Sequence, residues 1–162
     1  MPVPSSIAIS AINYNMNADF LKKNVAGLTD EEWLRHPEGA ANHILWIVGH
    51  LCWVRGMLLK RLGDDWSKPW FSHFARGSKL DNAAAYPTPE EARFAWDESS
   101  ERLNAAMESV SEEALATPST QGPPSPDGKV SGVVNFLALH ETYHIGQISY
   151  LRSWLGHPGV MG

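Results

Sequence analysis

His140-Glu141-Thr142-Tyr143-His144-Ile145-Gly146-Gln147 sits inside a long apolar segment near the C-terminus. Two histidines four residues apart on a helix are offset by only about 40° and stand roughly 6 Å apart along its axis, so both rings can reach one metal ion. Gln147 shares that face one turn further on, close enough to hydrogen-bond a ligand or a His ring from behind. The surrounding segment reads as a single helix over residues 131–155, closed by Gly156 as its C-cap.

The letters also match H-E-x-x-H, the zinc-peptidase signature in which the Glu polarises a metal-bound water. Those enzymes take a third ligand downstream, as a carboxylate or in the pattern H-E-x-x-H-x-x-G-x-x-H. After His144 only eighteen residues remain, with no Asp or Glu among them, and Gly146 stands one position too early for the second pattern. His157, between Gly156 and Pro158, reads as a tail residue. The peptidase reading therefore fails.

A third ligand has to come from another helix, and residues 42–62 offer His43 and His50 on a strongly apolar segment closed by Gly63. Seven residues return to one face within about 20°, yet the two stand roughly 10 Å apart along the axis and cannot share an ion. His50 lies mid-helix among Ile47, Leu51 and Val54, where an unpaired imidazole loses its water. His43, in the first turn beside Asn42 as N-cap, can stay hydrated. His50, His140 and His144 are thus the candidate metal ligands, because burying three imidazoles without a shared partner costs several kcal/mol.

His50-Leu51 on the second long helix, His140 and His144 on the fourth, then Gly146-Gln147 and Leu151-Arg152 together resemble the DinB-like superfamily of four-helix bundles. The similarity in helix order and motif position runs through nearly all of the chain. It implies an up-down-down-up bundle with a three-His site for a divalent metal, zinc or nickel, between helices two and four. The family includes thiol-dependent S-transferases and metal-dependent hydrolases, so the resemblance also implies a small-molecule substrate and, for a transferase, a low-molecular-weight thiol such as bacillithiol or mycothiol. It further implies a homodimer.

Period-3.6 spacing supports four long helices and no alternating strand pattern, the signature of an all-α bundle. The first covers residues 6–26, with Ile9, Ile12, Met16 and Phe20 along one side. Thr29-Asp30-Glu31-Glu32 opens a short capped turn. The third long helix starts at Thr88-Pro89-Glu90-Glu91, a capping box with Pro at the first helical position, and carries the stripe Ala92, Trp96, Ser99, Leu103, Met107 and Val110. Ser111-Glu112-Glu113 restarts a short turn before a Pro/Gly/Ser-rich loop over residues 117–129.

The connection over residues 63–87 is much longer than a tight antiparallel turn needs, which lets helices two and three run in the same direction. It carries Trp66, Pro69, Trp70, Phe71, His73 and Phe74. Such a loop packs as a lid on one end of a bundle or forms a wall of a substrate cleft.

With 162 residues, 43% hydrophobic content and seven Trp, residues 1–162 suit one domain with a single core. A net charge of -5 and no cationic cluster denser than Lys22-Lys23 exclude nucleic acid as an expected partner. The N-terminal residues lack a charged leader with an apolar core, and no run of eighteen apolar residues occurs, so a cytoplasmic protein without a membrane partner is expected. Cys52, the only cysteine, points about 200° from His50 around its helix and reads as a buried packing thiol.

Glu141 lies about 100° from His140, where it either reaches a metal-bound water as general base or faces a neighbouring helix. Tyr143 and Arg152 have ordinary packing and surface readings. Two function classes remain. One is a metal-dependent enzyme of the thiol S-transferase or hydrolase type; the other is a non-catalytic metal-binding bundle with a structural, sensing or stress-related role. A fourth protein ligand, His43 or Glu141, would close the site and favour the second; an open position beside an apolar cleft favours the first.

Overall fold

The computed structural model describes residues 2–39, 42–78, 80 and 83–161, so residues 79, 81 and 82 of the long connection lie outside the description. Six α-helices occur among the described residues: α1 (Ala8–Val25), α2 (Asp30–Trp33), α3 (Ile44–Arg61), α4 (Pro89–Ser109), α5 (Glu112–Leu115) and α6 (Val130–Trp154). No strand accompanies them, only an isolated bridge between Pro118 and Lys129. The protein is an all-α bundle.

Local chemistry sets most helix ends. Thr29 with Glu32 and Thr88 with Glu91 form complete capping boxes, each satisfying two otherwise unpaired backbone donors. Gly63 and Gly156 follow α3 and α6 with φ of 97° and 89°, a left-handed conformation that other residues adopt only at a cost. The start of α3 differs from expectation. Its N-cap is His43, whose Nδ1 accepts the Trp46 amide at 3.0 Å, and not Asn42.

α6 packs on α1 and α3, while α4 packs on α3 and α1. Along α1 and α6 the residue numbers rise together. Ser10 donates to Asn135 (2.6 Å), Asn17 to Thr142 (3.1 Å), and Ser149 to Asn24 (2.9 Å), a polar ladder repeating every seven residues. The face of α1 turned to the core is therefore Ile7, Ala11, Tyr14, Ala18, Leu21 and Val25, flanked by buried Ser10, Asn17 and Asn24. The side carrying Ile9, Ile12 and Met16 faces solvent, with Ile9 72% exposed. The reason is that paired polar groups can be buried at little net cost, whereas a pattern of apolar letters says nothing about pairing. On α4 the expected stripe does face the core, with Ala92, Trp96, Ser99, Leu103 and Met107 all buried.

Residues 66–74 of the long connection pack back onto the bundle. Trp66, Phe71 and Phe74 are buried in the core. Gly49 and Gly56 of α3 make room for it: a Cβ on Gly49 would fall 2.5 Å from the Phe74 ring, and one on Gly56 would fall 2.7 Å from Phe71. The loop before α6 is held by Arg61, which donates to Ser119 Oγ (3.1 Å) and the Gln121 carbonyl (2.6 Å). Among the described residues no helix is long and apolar enough to cross a membrane.

Candidate metal centre

α3 and α6 bring His50, His140 and His144 together, with one ring nitrogen of each inside a 4.8 Å group. Ring centroids lie 5.4 Å (His50 to His140), 5.2 Å (His50 to His144) and 4.5 Å (His140 to His144) apart. His50 is buried and the other two are half-buried.

Two of the rings are oriented from behind. His50 Nδ1 lies 2.8 Å from the Phe74 carbonyl. A carbonyl only accepts, so Nδ1 carries the proton and the Nε2 lone pair is left free. His144 Nδ1 makes the equivalent contact with Gln147 Oε1 at 2.6 Å, while the Gln147 amide donates to Tyr143 Oη at 3.4 Å. Trp46 stacks on the His50 ring at 5.0 Å and 9°, fixing its plane. His140 has Phe136 stacked on its ring at 6.5 Å, but among the described residues its buried Nδ1 has no partner, and its Nε2 lies 3.2 Å from His144 Nε2. It can donate from Nε2 to His144 or turn that lone pair towards an ion.

These residues fit a divalent ion. Metal–imidazole bonds of about 2.0–2.1 Å at tetrahedral or octahedral angles place neighbouring nitrogens roughly 2.9–3.4 Å apart, a range that includes the observed 3.2 Å. Burial lowers the pKa of His140 and His144 to about 4, aided by the neighbouring rings, and burial lowers that of His50 too. All three are neutral at pH 7, as ligands must be. Among the described residues, no carboxylate or cysteine joins the group.

Glu141 is elsewhere. It is 1% exposed, turned into the bundle, and both of its oxygens are taken by Arg55: Nε donates to Oε2 at 2.7 Å and Nη2 to Oε1 at 3.0 Å. Arg55 Nη1 is held by Ser99 (3.0 Å) and Ser100 (2.6 Å), and the guanidinium lies 3.4 Å from the centre of the Trp96 ring. Of the two open readings for Glu141, the structure has the one facing a neighbouring helix, where Arg55 of α3 binds both carboxylate oxygens.

His43 is not in the group either, and it is not hydrated. It is 6% exposed, between the rings of His36 and Tyr86, and burial lowers its pKa to about 4. His157 is a tail residue as expected, bonded to Glu32 at 2.8 Å. Cys52 is buried, and burial pushes its thiol up to about 12, which disfavours the thiolate. Arg152 is more than a surface residue: buried, it donates to the carbonyls of Asn24 and Ala26 and so satisfies the C-terminus of α1.

The Phe74 carbonyl and Arg55 escaped the sequence reading. A backbone carbonyl has no residue signature. For Arg55 the signal was a charge five residues after His50 on an otherwise apolar helix.

A cavity of about 500 Å³ opens beside the cluster, lined by His50 and His140 together with Trp53, Met57, Phe136 and the loop prolines Pro123 and Pro124. Trp70 and Phe71 are not among its walls. A second cleft of about 340 Å³ lies on the Gln147 side, against Ile47, Tyr143 and Tyr150. A helical bundle with three imidazoles converging across two helices, backed by a carbonyl and an amide and open on one side, defines a metal-binding protein class. Residues 17–148 match the DinB superfamily, a metal-binding family, and the chain belongs to it. No curated protein matches the chain.

Proposed function

We propose that this protein is a metal-dependent thiol S-transferase acting on a small molecule. The observation carrying this reading is the pairing of an open three-His site with a mostly apolar cavity in whose wall, among the described residues, no carboxylate stands. Glu141, the nearest carboxylate in sequence, is held by Arg55, so it does not assist a water bound at the cluster as general base. A thiol is far more acidic than water and needs no such base. A divalent ion such as zinc or nickel supplies a Lewis acid that lowers the pKa of a group placed against it.

The chain's own residues do the rest. His50, His140 and His144 hold the ion, Phe74 and Gln147 aim two of the rings, and Trp53, Met57 and Phe136 keep water from the thiol. In the overall reaction the thiol loses its proton, a sulfur–carbon bond forms, and the bond from carbon to its leaving group breaks. The leaving group departs with the electron pair and takes up the proton.

The reading includes an up-down-down-up arrangement of α1, α3, α4 and α6 as one domain in the cytoplasm. Its direction is supported by cross-links whose numbers rise together between α1 and α6 and run oppositely between α1 and α4, where Trp96 meets Ala18 and Asn104 meets Asn15. It also includes a homodimer, supported by exposed Leu139, Tyr143 and Tyr150 on α6 beside Ile9 and Ile12 on α1. A monomeric mass by light scattering refutes that part.

The test is elemental analysis of wild type beside His50→Ala and His144→Ala, followed by conjugation of a small thiol to 1-chloro-2,4-dinitrobenzene. Metal near one ion per chain and metal-dependent conjugation, both lost in the variants, are expected. Metal with ester hydrolysis and no conjugation gives the hydrolase; metal with neither activity gives the binding protein.

A further inference from the structure

We infer that Arg76 binds a carboxylate at one end of the substrate, so that the cavity takes a small molecule with an apolar body and an anionic head. The inference rests on the cavity of the proposed function and adds the chemistry of what fills it. Among the described residues of the cavity wall, Arg76 is the only ionisable side chain apart from His50 and His140, the rest being apolar side chains, two prolines and Gly122. Its volume of about 500 Å³ is in the range of small-molecule sites. Among the described residues no Asp or Glu lines that wall to oppose the positive charge of Arg76.

Arg76 is also the exception among the seven arginines. Arg55 is paired with Glu141, Arg61 with Ser119 and Gln121, Arg102 with Asp64 and Glu98, and Arg152 with backbone carbonyls. Arg35 and Arg93 lie over Trp154 and Trp33. Arg76 has no partner among the described residues. A guanidinium presents a planar fork that matches a carboxylate with two parallel hydrogen bonds.

Its position follows from the same contact that orients His50. Phe74 is tied to His50 Nδ1 through its carbonyl, and Arg76 follows two residues later, so its backbone stands within roughly 7 Å of that anchor. One segment thus aims a metal ligand and carries the cation. A molecule held by its carboxylate at Arg76 extends its apolar body past Trp53 and Met57 towards the cluster.

The test uses calorimetric titration of 4-phenylbutanoate and its neutral isostere 4-phenylbutanamide into zinc-loaded and chelator-stripped protein, for wild type, Arg76→Lys and Arg76→Met. Arg76 is exposed and unpaired, so both variants are expected to fold, with circular dichroism as the check. The expected result is carboxylate binding at least about tenfold tighter than amide in both wild-type forms, a ratio near one in Arg76→Met with amide affinity unchanged, and an intermediate ratio in Arg76→Lys. Equal affinities in wild type, binding of neither ligand, or an undiminished ratio in Arg76→Met would each overturn the inference. A preference seen only with zinc and kept in Arg76→Met assigns the carboxylate to the metal and overturns it as well. An Arg76-dependent preference in a protein that binds no metal sustains the inference while the proposed function fails, and metal-dependent conjugation without the preference does the reverse.

Discussion

Arg55 and Glu141 should each be indispensable alone and dispensable together. Both are 1% exposed, so solvent does not screen their charges, and the guanidinium makes two bonds to the carboxylate plus contacts to Ser99 and Ser100. Removing one member leaves an uncompensated buried charge, which costs about 3–5 kcal/mol. That is a large fraction of the roughly 5–15 kcal/mol by which domains are stable. Arg55→Met and Glu141→Leu should therefore each move the urea midpoint down by about 1.5–2.5 M, for a slope near 2 kcal/mol per M. The double variant places two apolar side chains of similar volume in the gap and removes both desolvation penalties, so it should recover to within about 1–2 kcal/mol of wild type.

The assay is equilibrium urea unfolding of the four proteins at 25 °C, with and without zinc. Additive losses in the double variant would refute the account of the pair. A Glu141→Leu protein as stable as wild type but inactive would refute the assignment of Glu141 to the core and restore it as a base.

Three further outcomes are expected. Metal-free protein should lose stability as pH falls from about 6.5 to about 4, because in that window the unfolded chain takes up protons that buried His43, His140 and His144, each with its pKa lowered to about 4, do not; for His43 alone this is worth up to about 3 kcal/mol. His43→Asn keeps an N-cap acceptor and should flatten the profile by about one proton, and an unchanged slope would count against burial as the cause. Gly49→Ala should cost about 1–3 kcal/mol by pushing Phe74 away and, since Phe74 aims His50, should weaken metal binding too; thermal unfolding with metal titration detects both effects. Gln147→Leu removes the acceptor behind His144 and should weaken zinc binding about 10–100-fold by chelator competition, and wild-type affinity would mean that the contact does not orient the ring.

Much of the site was legible before folding. The i, i+4 spacing of His140 and His144 is a property of helix geometry, and the choice of His50 over His43 followed from where each stands on its helix. His43 differs from expectation in being buried rather than hydrated, because it serves as the N-cap of α3. Glu141 was ambiguous because a residue 100° from its neighbour can face either way, and what decides is a cation on another helix, eighty-six residues distant in sequence.

The sequence by itself determined what local chemistry controls: the capped starts at Thr29 and Thr88, the glycine stops at Gly63 and Gly156, the core stripe of α4 and the ligand spacing on α6. These depend on contacts within a few residues, and the side chains that make them are written side by side. Only the tertiary structure decided which side of α1 is buried, that Glu141 belongs to Arg55, and that the Phe74 carbonyl aims His50. Those outcomes depend on polar groups finding partners on distant segments. A pattern of apolar letters cannot show which Ser, Asn or Glu is paired and therefore free to leave water.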